Sequence, residues 1–182
     1  ILVLDGEKNS GGPFTPLSAF LPNPFGPRDL LHDDTPLLLE PHDNRFSPVE
    51  THSPESLPNG DYCPAPETGD ALLRKAALEA ANDAHAPYTG CPSGAALMDT
   101  EGKVYKGSYV ESAAYNPSFG PVQAALVAYV AAGGGSYERI VAAALVEKEG
   151  AKVRQEDTAR ILLNAVSPSC RLRSFTVPIS KP

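Results

Sequence analysis

Apolar and polar residues recur with regular spacing only in the last two thirds of this chain. Apolar residues at helical spacing follow Asp70, a suitable N-cap, and predict a helix that ends before Pro87. The segment 94–98 is short and apolar, and the segment 103–111 alternates apolar and polar residues after a glycine-containing turn. This pattern predicts a β-hairpin.

Four more elements follow the hairpin. Residues 121–132 form an Ala-rich segment that predicts a buried helix, and the continuous apolar run 140–146 predicts a strand covered on both faces. Residues 155–166 place their apolar side chains on one helical face, and residues 172–177 predict a final strand. The order helix, strand, strand, helix, strand, helix, strand predicts an α/β fold, a three-layer α/β/α sandwich with a mixed sheet.

The first 69 residues differ in composition from the rest of the chain. Twelve of the 19 prolines lie between Pro13 and Pro66, where long helices and central strands are disfavoured. We therefore expect a Pro-rich linker over 32–69, mobile from residue 43 to residue 68. The apolar start, Ile-Leu-Val-Leu without an initiator Met, reads as a strand, and we expect the chain to begin inside a larger unit.

The net charge, the hydrophobic runs and the cysteines argue against some classes of function and indicate a cellular compartment. The formal net charge is −7, and no cluster of Lys and Arg suits a phosphate backbone, so nucleic-acid binding is not expected. No apolar run reaches the roughly 18 residues of a membrane span. Cys63, Cys91 and Cys170 lie far apart without a CxxC pair, which favours a reduced, cytoplasmic protein.

Three segments resemble one enzyme family. Residues 86–95, Ala-Pro-Tyr-Thr-Gly-Cys-Pro-Ser-Gly-Ala, resemble the opening motif of cytidine deaminases. Residues 111–117, Glu-Ser-Ala-Ala-Tyr-Asn-Pro, resemble a second motif of that family. Residues 25–31, Phe-Gly-Pro-Arg-Asp-Leu-Leu, resemble the join between the two domains of the dimeric, two-domain deaminases of bacteria and plants.

The resemblance implies a domain organisation and an activity. Residues 1–31 would be the C-terminal remnant of an upstream catalytic domain, and residues 70–182 a non-catalytic copy of that domain. The full-length family enzyme uses zinc to convert cytidine and deoxycytidine to the uridines and ammonia in pyrimidine salvage. Its expected partners are the catalytic domain and a second copy of the protein, as a homodimer.

Hydrolytic deamination needs a zinc-bound water and a carboxylate that carries protons. The resemblance places the first zinc ligand at Gly120 and the catalytic glutamate at Val122, and no cysteine pair follows the strand 140–146. Neither side chain can bind a metal or carry a proton, so we expect no catalytic residue, no metal and no cofactor in this chain.

The resemblance also describes the rest of the pocket. Cys91 replaces the aromatic residue that stacks on the base, Tyr109 replaces an asparagine that binds the ribose, and Glu111 is retained. Together with Gly120 and Val122 these residues form a vestigial pocket.

A chain without catalytic residues can still complete an active site. The resemblance implies that Ala114, through its backbone, and Tyr115, through its ring, reach into a partner's active site. The alternative for this segment is a packed turn between strand and helix. For the whole chain, the alternative is a nucleoside-binding module or sensor, which Glu111 alone favours.

Other polar residues have simpler interpretations. Four possible metal ligands stand about ten residues apart in the Pro-rich segment, a spacing that predicts solvated loop side chains. They are His32, His42, His52 and Cys63. We expect His85 to interact with a helix end, and residues 147–149 to form a solvated strand end.

Overall fold

A computed structural model describes residues 14–47, 69–114 and 117–180. The chain divides into two compact units, residues 1–35 and residues 36–182. No helix within the described ranges is long and apolar enough to cross a membrane.

The first unit is described from residue 14 onward and contains short turns. It has one helix of four residues, α1 (Leu17–Phe20), and a 3₁₀ turn at Pro27–Asp29. The carboxylate of Asp29 accepts the backbone N–H of Gly26 at 2.6 Å. The Arg28 guanidinium donates to three carbonyl oxygens between residues 32 and 35. The apolar start of the chain lies outside the described residues, and the domain boundary near residue 31 stays a prediction.

The second unit contains the α/β domain. Its elements follow the order that the sequence pattern predicts: α2 (Gly69–Asn82), β1 (Ser93–Asp99), β2 (Val104–Ser108), α3 (Pro121–Ala131), β3 (Ile140–Lys148), α4 (Glu156–Val166) and β4 (Arg171–Val177).

The four strands form one mixed sheet in the order β2-β1-β3-β4. Strand β1 is antiparallel to both of its neighbours, with Ala96 opposite Lys106 on β2 and opposite Ala144 on β3. Strand β4 is parallel to β3. The parallel pair is joined by α4, as expected for a crossover connection.

Helices cover both faces of the sheet. On one face, Ala77 and Ala81 of α2 pack in a core with Val146. On the other face, Val122 of α3 and Leu163 of α4 share a core with Leu145. The predicted three-layer sandwich with a mixed sheet is therefore confirmed.

Two glycines set how closely the helices approach the sheet. A Cβ atom at Gly94 would overlap the backbone of α2 near Ala81, and one at Gly107 would overlap the backbone of α3 near Ala125. The alanines on these helix faces allow the same close approach. Backbone packing of this kind explains why the helices are rich in alanine.

The second strand is shorter than its alternating pattern predicts. Its ladder with β1 ends at Ser108, although alternation continues to residue 111. Beyond that point Val110 makes isolated bridges with His85 and with Phe119. The chain leaves β1 here because these two backbone segments offer new hydrogen-bond partners.

Residues 43–47, expected to belong to a mobile linker, pack against the second unit. Phe46 is only 4% exposed and bridges Ile179. The side-chain amide of Asn44 donates to three carbonyl oxygens at the end of α2, between residues 81 and 84. The expectation of mobility is wrong for these residues because one buried aromatic ring and a helix C-terminus hold them. Residues 48–68 lie outside the described residues.

Candidate functional site

The positions of the vestigial pocket meet at one end of the sheet. Ser93 pairs with Glu147 across β1 and β3, and its carbonyl accepts the N–H of Tyr109 at 2.9 Å. Side chains alternate along a strand, so these three residues lie on the face covered by α3 and α4. Cys91, Tyr109, Glu111, Gly120 and Val122 are all buried.

The two positions that should carry the chemistry are parts of a helix start. Gly120 is the N-cap of α3, and its carbonyl accepts the N–H of Ala124. Val122 is 0% exposed and belongs to the apolar core. Neither has an atom that binds a metal, and the described residues contain no group of three His, Cys, Asp or Glu side chains suited to a metal. A catalytic zinc does not fit these residues.

Glu147 lies at the end of β3 and corrects the expectation of a solvated strand end. Its side chain is 1% exposed. One carboxylate oxygen accepts the backbone N–H of Gln155, the N-cap residue of α4, and the other pairs with the Arg154 guanidinium at 3.2 Å. The hydrogen bond and the charge of Glu147 raise the pKa of Arg154. The carboxylate thus holds the β3–α4 connection against the sheet.

Glu111 is the second buried carboxylate at this end of the sheet. Its Oε2 atom accepts the backbone N–H groups of Tyr88 at 2.9 Å and Thr89 at 3.1 Å. Its own N–H donates to the carbonyl of His85 at 2.7 Å. The Oε1 atom is buried and has no hydrogen-bond partner among the described residues.

A short loop leaves the sheet after Glu111 and returns before α3. Two backbone hydrogen bonds between Val110 and Phe119, of 3.0 and 2.8 Å, close its base. The Ser118 hydroxyl accepts the N–H of Ser112 inside it. Ala114 is exposed on the loop, while Tyr115 and its predicted role lie outside the described residues.

Two histidines form a contact that sequence reasoning missed. His42 Nε2 lies 2.9 Å from His85 Nδ1, and the two rings meet edge to face. Burial first, and then the charge of His42, lower the pKa of His85, although Glu111 acts in the opposite direction. His42 is half-buried rather than solvated, because Asn44 and Phe46 hold its segment on the domain. No sequence signal connects two residues 43 positions apart.

Residues 17–160 match the family described as the cytidine and deoxycytidylate deaminase zinc-binding region. This chain belongs to the cytidine deaminase family. The resemblance seen in the sequence is thereby confirmed at the level of the family.

Known relatives agree with this assignment. Cytidine deaminase 1 of Arabidopsis thaliana is 55% identical over 172 residues, which are 94% of this chain and 54% of that protein. A protein named probable inactive cytidine deaminase 4, from the same plant, is 48% identical over 79% of this chain and 55% of its own length. This deaminase-family chain spans about half the length of the curated relatives it matches.

A solved structure supports the fold. The crystal structure of cytidine deaminase from Burkholderia pseudomallei aligns with 60% of this chain and 90% of its own, with a TM-score of 0.51 and 26% identity. The α/β sandwich of this chain is therefore that of a cytidine deaminase.

Proposed function

We propose that this chain is the non-catalytic half of a two-domain cytidine deaminase and completes the active site of a partner. The observation that carries the proposal is the burial of Val122 at 0% exposed, in the core, at the position where the family carries its catalytic glutamate. Zinc and the deamination of cytidine and deoxycytidine then belong to the catalytic half of a homodimeric, full-length protein in pyrimidine salvage.

The exposed loop after Glu111 supports the role in a partner's site. Ala113, Ala114 and Pro117 are exposed on it, and Phe119 is partly exposed at its base. A loop of small and apolar residues with a fixed base suits contact with a nucleoside. In the proposed complex, Ala114 contributes its backbone and Tyr115 its ring.

Helix α3 supports the role in assembly. Apart from Gln123, its residues carry no amide or charged side chain, a pattern typical of helices that are covered all round. Val127 and Val130 are nevertheless more than half exposed. With Leu126, Ala131 and Tyr137 they line an apolar groove of about 390 Å³. Exposed apolar surface of this kind marks an interface, here one within the proposed dimer.

Kinetics of the full-length protein test the proposal. Replacing Tyr115 by alanine should raise KM for cytidine about tenfold with little change in kcat, because a binding contact is lost. Ile161→Ala, on the exposed face of α4, is the control and should leave KM unchanged. Unchanged kinetics of Tyr115→Ala would contradict the proposal.

One observation favours a nucleoside-binding module instead. The Oε1 atom of Glu111 and the hydroxyl of Ser93 are buried without partners among the described residues, as polar groups that await a ligand would be. Buried Tyr109 and Val122, however, lie at the same end of the sheet. Calorimetry of this chain with cytidine separates the two: measurable binding supports the module, and no heat supports the non-catalytic half.

A further inference from the structure

We propose that Glu111 is a positioning residue, which joins two loops and thereby fixes the loop that carries Ala114. This role rests on the proposed function, since it matters for catalysis only if that loop reaches a partner's site. The first of the two is the motif loop, residues 86–91, and the second is the presenting loop, which the structure describes at residues 111–114 and 117–119.

Glu111 lies at the base of the presenting loop, and both its backbone and its side chain form hydrogen bonds with the chain around the motif loop. Its backbone N–H donates to the carbonyl of His85, which directly precedes the motif loop. Its Oε2 atom accepts two successive N–H groups of that loop, from Tyr88 and Thr89. Hydrogen bonds to an ionised carboxylate are roughly twice as strong as neutral ones. Glu111 therefore makes two hydrogen bonds to the motif loop and a third to the residue that precedes it.

Burial makes this arrangement selective for a carboxylate or its isostere. Glu111 is 5% exposed, so water does not replace the lost acceptor easily when the side chain is shortened. The motif loop has other hydrogen bonds: Gly90 bonds to Ala86, the Lys148 ammonium donates to the Gly90 carbonyl, and Cys91 bonds to the hydroxyl and the carbonyl of Thr89. None of these engages the backbone N–H of Tyr88 or Thr89.

The geometry gives Glu111 a structural use of its own. Its Oε2 atom accepts two backbone N–H groups of the motif loop, whereas Oε1 is buried without a partner among the described residues. In this role Glu111 acts through the loop that it holds.

Three variants of the full-length protein test this role. Glu111→Ala removes the acceptor, and Glu111→Gln keeps one carbonyl oxygen that can accept both N–H groups. Glu147→Ala removes the other buried carboxylate at the same end of the sheet and is the control for general destabilisation. Two readouts are needed, hydrogen exchange of the Tyr88 and Thr89 amides and the steady-state kinetics of cytidine deamination.

We expect Glu111→Ala to speed exchange of both amides about tenfold and to raise KM about tenfold with little effect on kcat. Glu111→Gln should have amide exchange rates and a KM close to those of the parent protein. Glu147→Ala should lower stability while KM stays near that of the parent. Unchanged exchange in Glu111→Ala, a glutamine variant as impaired as the alanine variant, or an equal rise of KM in Glu147→Ala would each overturn the role.

The kinetics also separate this role from the proposed function. If Tyr115→Ala raises KM and Glu111→Ala does not, the loop reaches the partner but Glu111 does not position it. If neither variant changes KM while the two amides exchange faster in Glu111→Ala, the proposed function fails, and with it the positioning role.

Discussion

Two buried glutamates lie at the same end of the sheet, and their surroundings differ. Glu147 is paired with the Arg154 guanidinium and with the first turn of α4, so its charge meets a full opposite charge. Glu111 meets only backbone N–H groups on Oε2. The first stabilises the connection between a strand and a helix, whereas the second joins two loops.

The comparison shows two structural uses of a buried carboxylate at one end of the sheet. The resemblance places zinc ligands at Gly120 and after residue 146, where the structure has the start of α3 and the ion pair of Glu147. Glu111 begins the exposed loop that carries Ala114, so the proposed role in a partner's site falls to this glutamate.

Removing Glu147 should have the largest effect on stability. Glu147→Ala is expected to lower the free energy of unfolding by about 3 kcal/mol, because buried hydrogen bonds to a charged group are lost and a cavity remains. Urea unfolding followed by circular dichroism measures the change. A loss of unfolding free energy smaller than that of Glu111→Ala would show that Glu111, and not Glu147, contributes more to stability.

Glu111→Ala should cost less stability, about 2 kcal/mol, since the loops it joins keep other hydrogen bonds. The same urea titration measures it, with Glu111→Gln as the matched control and a loss of less than about 1 kcal/mol expected for that variant. Equal losses for the alanine and glutamine variants would show that the two loop amides contribute nothing.

Acidification should lower the stability of the protein through His85, whose carbonyl binds the N–H of Glu111. Because burial lowers the pKa of His85 below its ordinary 6.5, the unfolded chain binds the proton more readily. The stability from neutral His85 is fully present above pH 6.5 and is lost as the pH falls toward the lower, folded pKa. Unfolding at pH 7.5 and 5.5 should show this decrease, and His85→Gln should make it smaller. An equal decrease in His85→Gln would assign the effect to other groups.

The smallest effect should come from Arg154→Gln. The guanidinium is half exposed, so water screens its attraction to Glu147, and the N–H of Gln155 still binds the carboxylate. We expect a stability loss well below that of Glu147→Ala in the same urea assay. Losses of equal size would show that the ion pair, and not the helix N-terminus, holds Glu147.

Periodic elements were predictable from the sequence, and long-range polar contacts were not. The short apolar segment 94–98 and the apolar run 140–146 locate β1 and β3 because a strand covered on both faces is buried along most of its length. The end of β2 was misplaced because alternation continues after Ser108 while the hydrogen-bond partner changes.

The candidate site was predictable only in part. The absence of ligand chemistry at Gly120 and Val122 follows from residue type alone. The contact of His42 with His85 depends on Phe46 anchoring a Pro-rich segment, which no local pattern shows. The burial of Glu147 depends likewise on the N–H of Gln155, eight residues later at the start of α4.

Metal analysis combined with an ammonia assay tests the central claim most directly. This chain, purified and supplied with zinc and cytidine, should bind far less than one zinc ion per molecule and release no ammonia, because its pocket has no metal ligands and no proton carrier. About one tightly bound zinc per molecule, together with ammonia release in the absence of any partner chain, would contradict the account.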